Sequence, residues 1–253
     1  MRVLAIVHQR DAGAGVFAEE TRARGVEFDG WLIAEQPEPP ADPAGYDAVM
    51  IFGGAMNTHE EEMHPWIRRE KDLLAELLDR GTPLLGACLG TQLLADAAGG
   101  EVRRSREPEI GWHEVSVRRE ARGDPLFGDP PLRDLAPYVK FVVAPGSQGF
   151  QAFQWHSYEA VPPSGAVVLA ESRVCPQAYR IGERAWGIQF HAEVTAADLE
   201  KWIDGWREDE DAVRIGLDSE ALRAESREKI AGWNQFGRDL CGRFLDQLTA
   251  TRA

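Results

Sequence analysis

Apolar runs and helical stripes alternate along the first part of the chain. Residues 3–8 form a continuous apolar run, the pattern of a strand buried on both faces. Residues 15–24 have helical periodicity with Glu and Arg outward, and residues 26–33 predict a second strand. The prolines between 37 and 43 mark a loop. Residues 46–52 predict a third strand ending in Gly53-Gly54. A helix is predicted over 65–80, with Trp66, Leu73, Leu74, Leu77 and Leu78 facing inward and Gly81 stopping it. A short apolar strand, a Gly-bounded turn and an apolar helix follow from Pro83. Such alternation implies an α/β fold: an open, mostly parallel, flavodoxin-like sheet with helices on both faces.

After Ala98-Gly99-Gly100 the pattern changes. Short strands are predicted at 101–104, 111–118, 150–159, 167–171, 177–181 and 185–190, separated by Gly and Pro, and they read as antiparallel additions to the sheet. Residues 124–148 are rich in Pro, Gly and Asp and predict a long excursion, a lid or an interaction loop. From Thr195 the chain is helical and charged, with a break near Gly216. Ile230, Trp233, Phe236, Leu240 and Phe244 then recur at helical spacing, as core or as a docking face. The expected organisation is a domain over 1–195 and a helical C-terminal extension, 196–253, packed on or beside it.

Composition adds exclusions. The 253 residues carry a net charge of −14, which argues against nucleic acid or an anionic membrane as partner. Three scattered cysteines, Cys88, Cys175 and Cys241, suit neither a disulfide framework nor a zinc site, so no metal is expected. No signal-peptide layout and no transmembrane-length apolar run is present, and a cytoplasmic setting is expected.

The candidate chemistry centres on Gly86-Ala87-Cys88-Leu89-Gly90. Alone, such a cysteine is a small buried apolar residue. Between two glycines, after a strand and before a helix, it matches a nucleophile elbow with a thiol in place of a hydroxyl. The turn lifts the sulfur above the strand end, at a helix N-terminus whose dipole favours thiolate. The Gly53-Gly54 turn belongs to the same sheet edge, where open α/β sheets bind ligands. Its backbone N–H groups suit an oxyanion hole completed by the N–H of Leu89. No phosphate-binding glycine loop occurs, and no cofactor is expected. A second apolar strand runs into His191, with Glu193 two residues on. Residues two apart in an extended chain share a side, so Glu193 can hold one imidazole nitrogen while the other faces Cys88.

The pairing of GACLGTQLLA with a later GIQFHAEVT resembles the class I, triad-type glutamine amidotransferases. The chain looks most like stand-alone proteins similar to the amidotransferase domain of GMP synthase. The IFGGAMN turn, the GWHEV strand and the FQWHSYEA segment support the resemblance, which covers roughly residues 1–195. It implies that Cys88 attacks the glutamine amide, His191 relays protons and Glu193 orients it. Gly54 and Leu89 would form the oxyanion hole, and Gly53, Met56, Gln92, Trp155, Ser157 and Tyr158 would hold the substrate. Ala192 stands where the family has Pro, and Trp155-His156-Ser157-Tyr158 where the GMP-synthase-like segment reads Ser-His-Gly-Asp. The ATP-pyrophosphatase half of GMP synthase has no counterpart.

Three readings follow. The first is a glutaminase that supplies ammonia to a partner synthetase or other acceptor protein. The second is a γ-glutamyl hydrolase acting on a γ-glutamylated amine or peptide. The third is a catalytically silent regulatory subunit on the same fold.

Overall fold

A computed structural model describes residues 1–128 and 148–249. Its elements in chain order are β1 (Arg2–Val7), α1 (Gly15–Ala23), β2 (Glu27–Leu32), β3 (Ala48–Ile51), α2 (Trp66–Asp79), β4 (Leu84–Ala87) and α3 (Leu89–Ala97). Then come β5 (Glu101–Val117), β6 (Gln148–Val161), β7 (Val167–Glu171), β8 (Pro176–Ile181), β9 (Ala185–Ile188), α4 (Ala196–Asp204), α5 (Glu210–Arg214) and α6 (Ser219–Thr249).

The strands form one sheet in the order β2-β1-β3-β4-β9-β8-β7-β5-β6 among the described residues. From β2 to β9 every neighbouring pair is parallel, and from β9 outward every pair is antiparallel. The mostly parallel α/β fold expected from the alternation is therefore present. β9 departs from its expected place as an antiparallel addition. It pairs parallel with β4, Leu84 against Ala185 through Ala87 against Ile188, and so carries its C-terminal end to the same sheet edge as the elbow. The strands expected at 101–104 and 111–118 are one 17-residue strand, β5, whose pairing with β6 shifts register between Arg104 and Glu109.

The pleat assigns the core. Val3 and Ala5 of β1 enter one hydrophobic cluster and Leu4 and Ile6 the other, because successive residues of a strand point to opposite faces. Leu74 and Leu77 of α2 and Leu93 of α3 cover one face. Phe17 of α1, Leu199 of α4 and Trp233, Phe236 and Phe244 of α6 cover the other. On α2 the buried face holds Ile67, Glu70, Leu74 and Leu77, whereas Leu73 and Leu78 are only partly buried. No described helix is long and apolar enough to cross a membrane.

Residues 129–147 of the expected excursion lie outside the described residues. Its first residues belong to the core: Leu126 and Phe127 are buried, and Asp124 Oδ1 accepts both their N–H groups.

The apolar stripe of α6 is core. Trp233 and Phe236 stack at 4.7 Å and meet Phe150 of β6 and Phe190 just beyond β9. Gly237 lies against the backbone of the loop after β9, and a Cβ there would stand 2.0 Å from the Ala192 carbonyl oxygen. Gly→Ala inside an exposed helix gains up to about 1 kcal/mol. At Gly237 the sign reverses. Gly237→Ala is expected to lower the urea midpoint of unfolding and to reduce activity, because the helix must retreat from the His191 loop.

Candidate active site

The thiol sits where the backbone is most constrained. Cys88 caps α3 with φ 50° and ψ −111°, and it is the one non-glycine residue with positive φ among the described residues. Such strain persists only when the surroundings over-determine it. Here the flanking glycines let three backbone segments cross. A Cβ on Gly86 would lie 2.6 Å from the Gly90 carbonyl oxygen, and one on Gly90 would lie 2.2 Å from that of Ile51. The Cys88 N–H donates to the Ile188 carbonyl (2.9 Å) and the Gly90 N–H to that of Phe52 (3.1 Å), which ties the turn to β9 and β3.

The imidazole meets the thiol over Gly53. A Cβ on Gly53 would stand 3.1 Å from His191 Cε1 and 3.7 Å from Cys88 Cβ. His191 Nδ1 donates to Glu193 Oε1 at 2.7 Å, and the Cys88 side chain lies beside the ring over Gly53. All three side chains are at least nine-tenths buried, and Glu193 Oε2 has no other partner among the described residues. The structure thus brings together the three residues singled out in the sequence.

Electrostatics keep the ring charged. Burial opposes the imidazolium, but the Cys88 sulfur and the Glu193 carboxylate overcome it and raise His191 to about 10. The imidazolium therefore contributes stability that is complete below its ordinary value and lost as pH rises through about 10. The other cysteines are poor nucleophiles. Burial, then the Glu109 charge, pushes the Cys175 thiol far up, and burial pushes Cys241 up to about 12.

α6 and α1 hold the loop carrying the histidine. Trp233 Nε1 donates to the His191 carbonyl at 2.7 Å and Asn234 Nδ2 to that of Val194 at 2.6 Å. The Val16 N–H donates to the Glu193 carbonyl at 2.8 Å. Ala192, in the position of the family's Pro, is fully buried under Gly237.

Gly54, Met56, Leu89, Gln92, Trp155, Ser157 and Tyr158 border, with Cys88 and His191, a cavity of about 560 Å³. Gly53 lies beneath the ring and Glu193 behind it, rather than on the wall. The Gly54 N–H has no acceptor among the described residues. Gln92 Nε2 donates to the Tyr158 carbonyl at 3.1 Å, so this side chain shapes the β6 edge. The Trp155 carbonyl is 3.9 Å from the Cys88 sulfur, and its indole N–H donates to Asp209 Oδ2 at 2.8 Å.

Several contributors were not singled out in the sequence. Trp202 of α4 packs edge-on against His191 at 4.8 Å, and Lys201 and residues 208–211 line the cavity. Their signal was an undifferentiated charged helical stretch. A second group is His8, stacked on Trp66 at 5.1 Å, with Nδ1 donating to the Gly53 carbonyl (3.1 Å) and Nε2 to the Glu70 carboxylate (3.0 Å). Both partners are acceptors, so both ring nitrogens carry protons. Burial works against that cation, and Glu70 with the Gly53 carbonyl raises it nonetheless. This ion pair buttresses the diglycine turn from below.

A third group is Glu109, His156 and Cys175, whose ligand-capable atoms lie within 4.8 Å of one another. The spacing of the cysteines did not predict this gathering. Glu109 Oε2 already accepts from Ser172 Oγ (2.9 Å) and Gln177 Nε2 (2.8 Å), which accounts for the cluster as a hydrogen-bonded strut. Burial opposes its ionisation, and His156 and Ser172 hold Glu109 below the ordinary carboxylate value.

Comparison with known proteins agrees with this geometry. The family model described as Glutamine amidotransferase class-I matches residues 15–203. A glutamine amidotransferase-like protein of Salmonella typhimurium, YfeJ, is 27% identical over 98% of this chain and 98% of its own. A gamma-glutamyl-L-1-hydroxyisopropylamide hydrolase from a Pseudomonas species is 31% identical over 63% of this chain and 54% of its own. The crystal structure of a glutamine amidotransferase from Thermotoga maritima superposes with a TM-score of 0.79 at 26% identity, covering 96% of this chain and 97% of that one.

Removing one anion from the histidine has a defined sign. Glu193→Gln withdraws a charge that raises the His191 value. The alkaline limb of the pH–rate profile, or of thiol alkylation, is expected to move to lower pH in that variant, with a fall in rate of roughly a hundredfold or more.

Proposed function

The chain belongs to the class I glutamine amidotransferase family, and on that premise we propose that it hydrolyses the side-chain amide of glutamine through Cys88, His191 and Glu193. The ammonia goes to an acceptor or partner synthetase. The observation that carries this reading is the meeting of a strained, glycine-crossed thiol and a carboxylate-held imidazole over Gly53.

The Cys88 sulfur attacks the amide carbon, and the carbonyl oxygen becomes an oxyanion facing the Gly54 and Leu89 N–H groups. Preorganised donors of this kind are worth about 3–4 kcal/mol each. His191 gives its proton to the amide nitrogen, the C–N bond breaks and ammonia leaves. Water then attacks the γ-glutamyl thioester, His191 takes up its proton, and glutamate is released with the thiolate restored. Glu193 holds the ring so that the nitrogen away from it stays on the sulfur. Gln92 and the backbone around Met56, Trp155, Ser157 and Tyr158 hold the amino acid end.

One observation favours a second substrate class on the same machinery. A cavity of about 560 Å³ exceeds what glutamine alone needs and admits a larger γ-glutamyl amide. The Pseudomonas relative bears the name of such a hydrolase. A silent subunit is disfavoured, because the three side chains are present and gathered over Gly53.

A glutamine-analogue diazoketone tests the assignment. Mass spectrometry is expected to find one adduct, on Cys88, with Cys175 and Cys241 unmodified in the folded protein. Cys88→Ala is expected to remove the adduct and to lower glutamine turnover by roughly ten-thousandfold or more. Absence of labelling in the wild-type protein would overturn the reading.

A further inference from the structure

The wall of the active-site cavity points to a class of substrate, an inference that rests on the amide hydrolysis proposed above. The segment between α4 and α5 closes one side of the cavity. Carboxylates of Asp11, Glu208, Asp209, Glu210 and Asp211 border it, against the cations of Arg104 and Lys201. Asp211 is neutralised by Arg104 and Arg214, at 2.6 Å each. Asp209 is occupied by the Trp155 indole and by the first backbone N–H groups of α5. Glu208 and Glu210 are exposed and have no salt bridge or side-chain hydrogen bond among the described residues.

Gln92 adds an acceptor to the same cavity. Gln92 is 4% exposed and borders the cavity. Its Nε2 is used on Tyr158 and Gln189, while its Oε1 receives no hydrogen bond among the described residues. That oxygen opens onto the cavity beside the thiol, where it can accept an N–H from the glutamyl end of a ligand.

The glutamyl end of any substrate is a zwitterion. Lys201 can balance its carboxylate and one acidic side chain its ammonium, which leaves the cavity wall with surplus negative charge. Glutamine, which is neutral overall, leaves that surplus uncompensated. We propose that this chain acts on γ-glutamyl amides whose leaving amine carries a second, cationic nitrogen, with Glu208 and Glu210 setting that preference. The bond broken is the γ-amide C–N bond. The leaving nitrogen takes its proton from His191, and water converts the Cys88 thioester to glutamate, so that glutamate and a free diamine are the products. The net charge of −14 would also draw such a substrate toward the protein.

A matched series of substrates tests this: glutamine, γ-glutamyl-butylamide (neutral), γ-glutamyl-1,4-diaminobutane (cationic) and γ-glutamyl-4-aminobutyrate (anionic). At low salt, kcat/KM is expected to be about tenfold higher for the cationic amide than for the neutral one, and lowest for the anionic one. The spread is expected to narrow at high ionic strength. Glu208→Gln combined with Glu210→Gln is expected to draw the three amides together. Equal rates, a preference for the anionic amide, or turnover of glutamine alone would overturn the charge inference and leave Cys88 labelling intact. Failure of all four substrates together with an unlabelled Cys88 would overturn the hydrolase reading itself.

Discussion

A crossing of backbones beneath Cys88 is the constraint on which the rest depends. β4 ends in a turn whose residue at φ 50° stays in place because the chain on either side cannot move away. Gly86 touches the backbone of Gly90, and Gly90 touches that of β3. Hydrogen bonds from Cys88 to β9 and from Gly90 to the end of β3 complete the restraint. A strained thiol is thus held at the edge of the parallel part of the sheet, where the five strands β2, β1, β3, β4 and β9 restrain the backbone around it.

The imidazole arrives by a different route. β9 lies beside β4, so its C-terminal end delivers His191 to the same edge. The loop beyond β9 has no regular structure of its own and takes its position from helices α1 and α6, through the Val16 N–H, the Trp233 indole and the Asn234 amide. Gly237 makes that close approach possible. The C-terminal helix therefore acts on the site without touching the cavity, by positioning the residues that form it.

Buried charge is paired wherever it occurs near the site. His191 answers to Glu193, His8 to Glu70, and Glu109 to its ring of donors. An ion in a dry interior is tolerated only with such partners, and removal of one partner commonly costs about 3–5 kcal/mol. The cavity wall behaves differently. At Glu208 and Glu210 the carboxylates stay in contact with water and remain unpaired, which a solvated surface allows and a buried core does not.

Local pattern determined a good deal. Apolar runs and helical stripes were enough for the order of β1 to α3 and for a parallel sheet, because the period of a strand and that of a helix are set by backbone geometry. Glycines at 86 and 90 around Cys88, and the two-residue spacing of His191 and Glu193, made the candidate site legible, since a strained turn and an i, i+2 pair are short-range features. Long-range choices were not written locally. That β9 inserts parallel beside β4, that β5 runs on through Arg104 to Glu109, and that a lone histidine at position 8 finds Glu70 depend on which elements pack together. The same holds for the charged stretch after Thr195. Its periodicity announced helices, but only the tertiary structure set Trp202 against the imidazole and turned Glu208 and Glu210 toward the thiol's cavity, because a side chain's neighbours across the fold are decided by packing rather than by sequence distance.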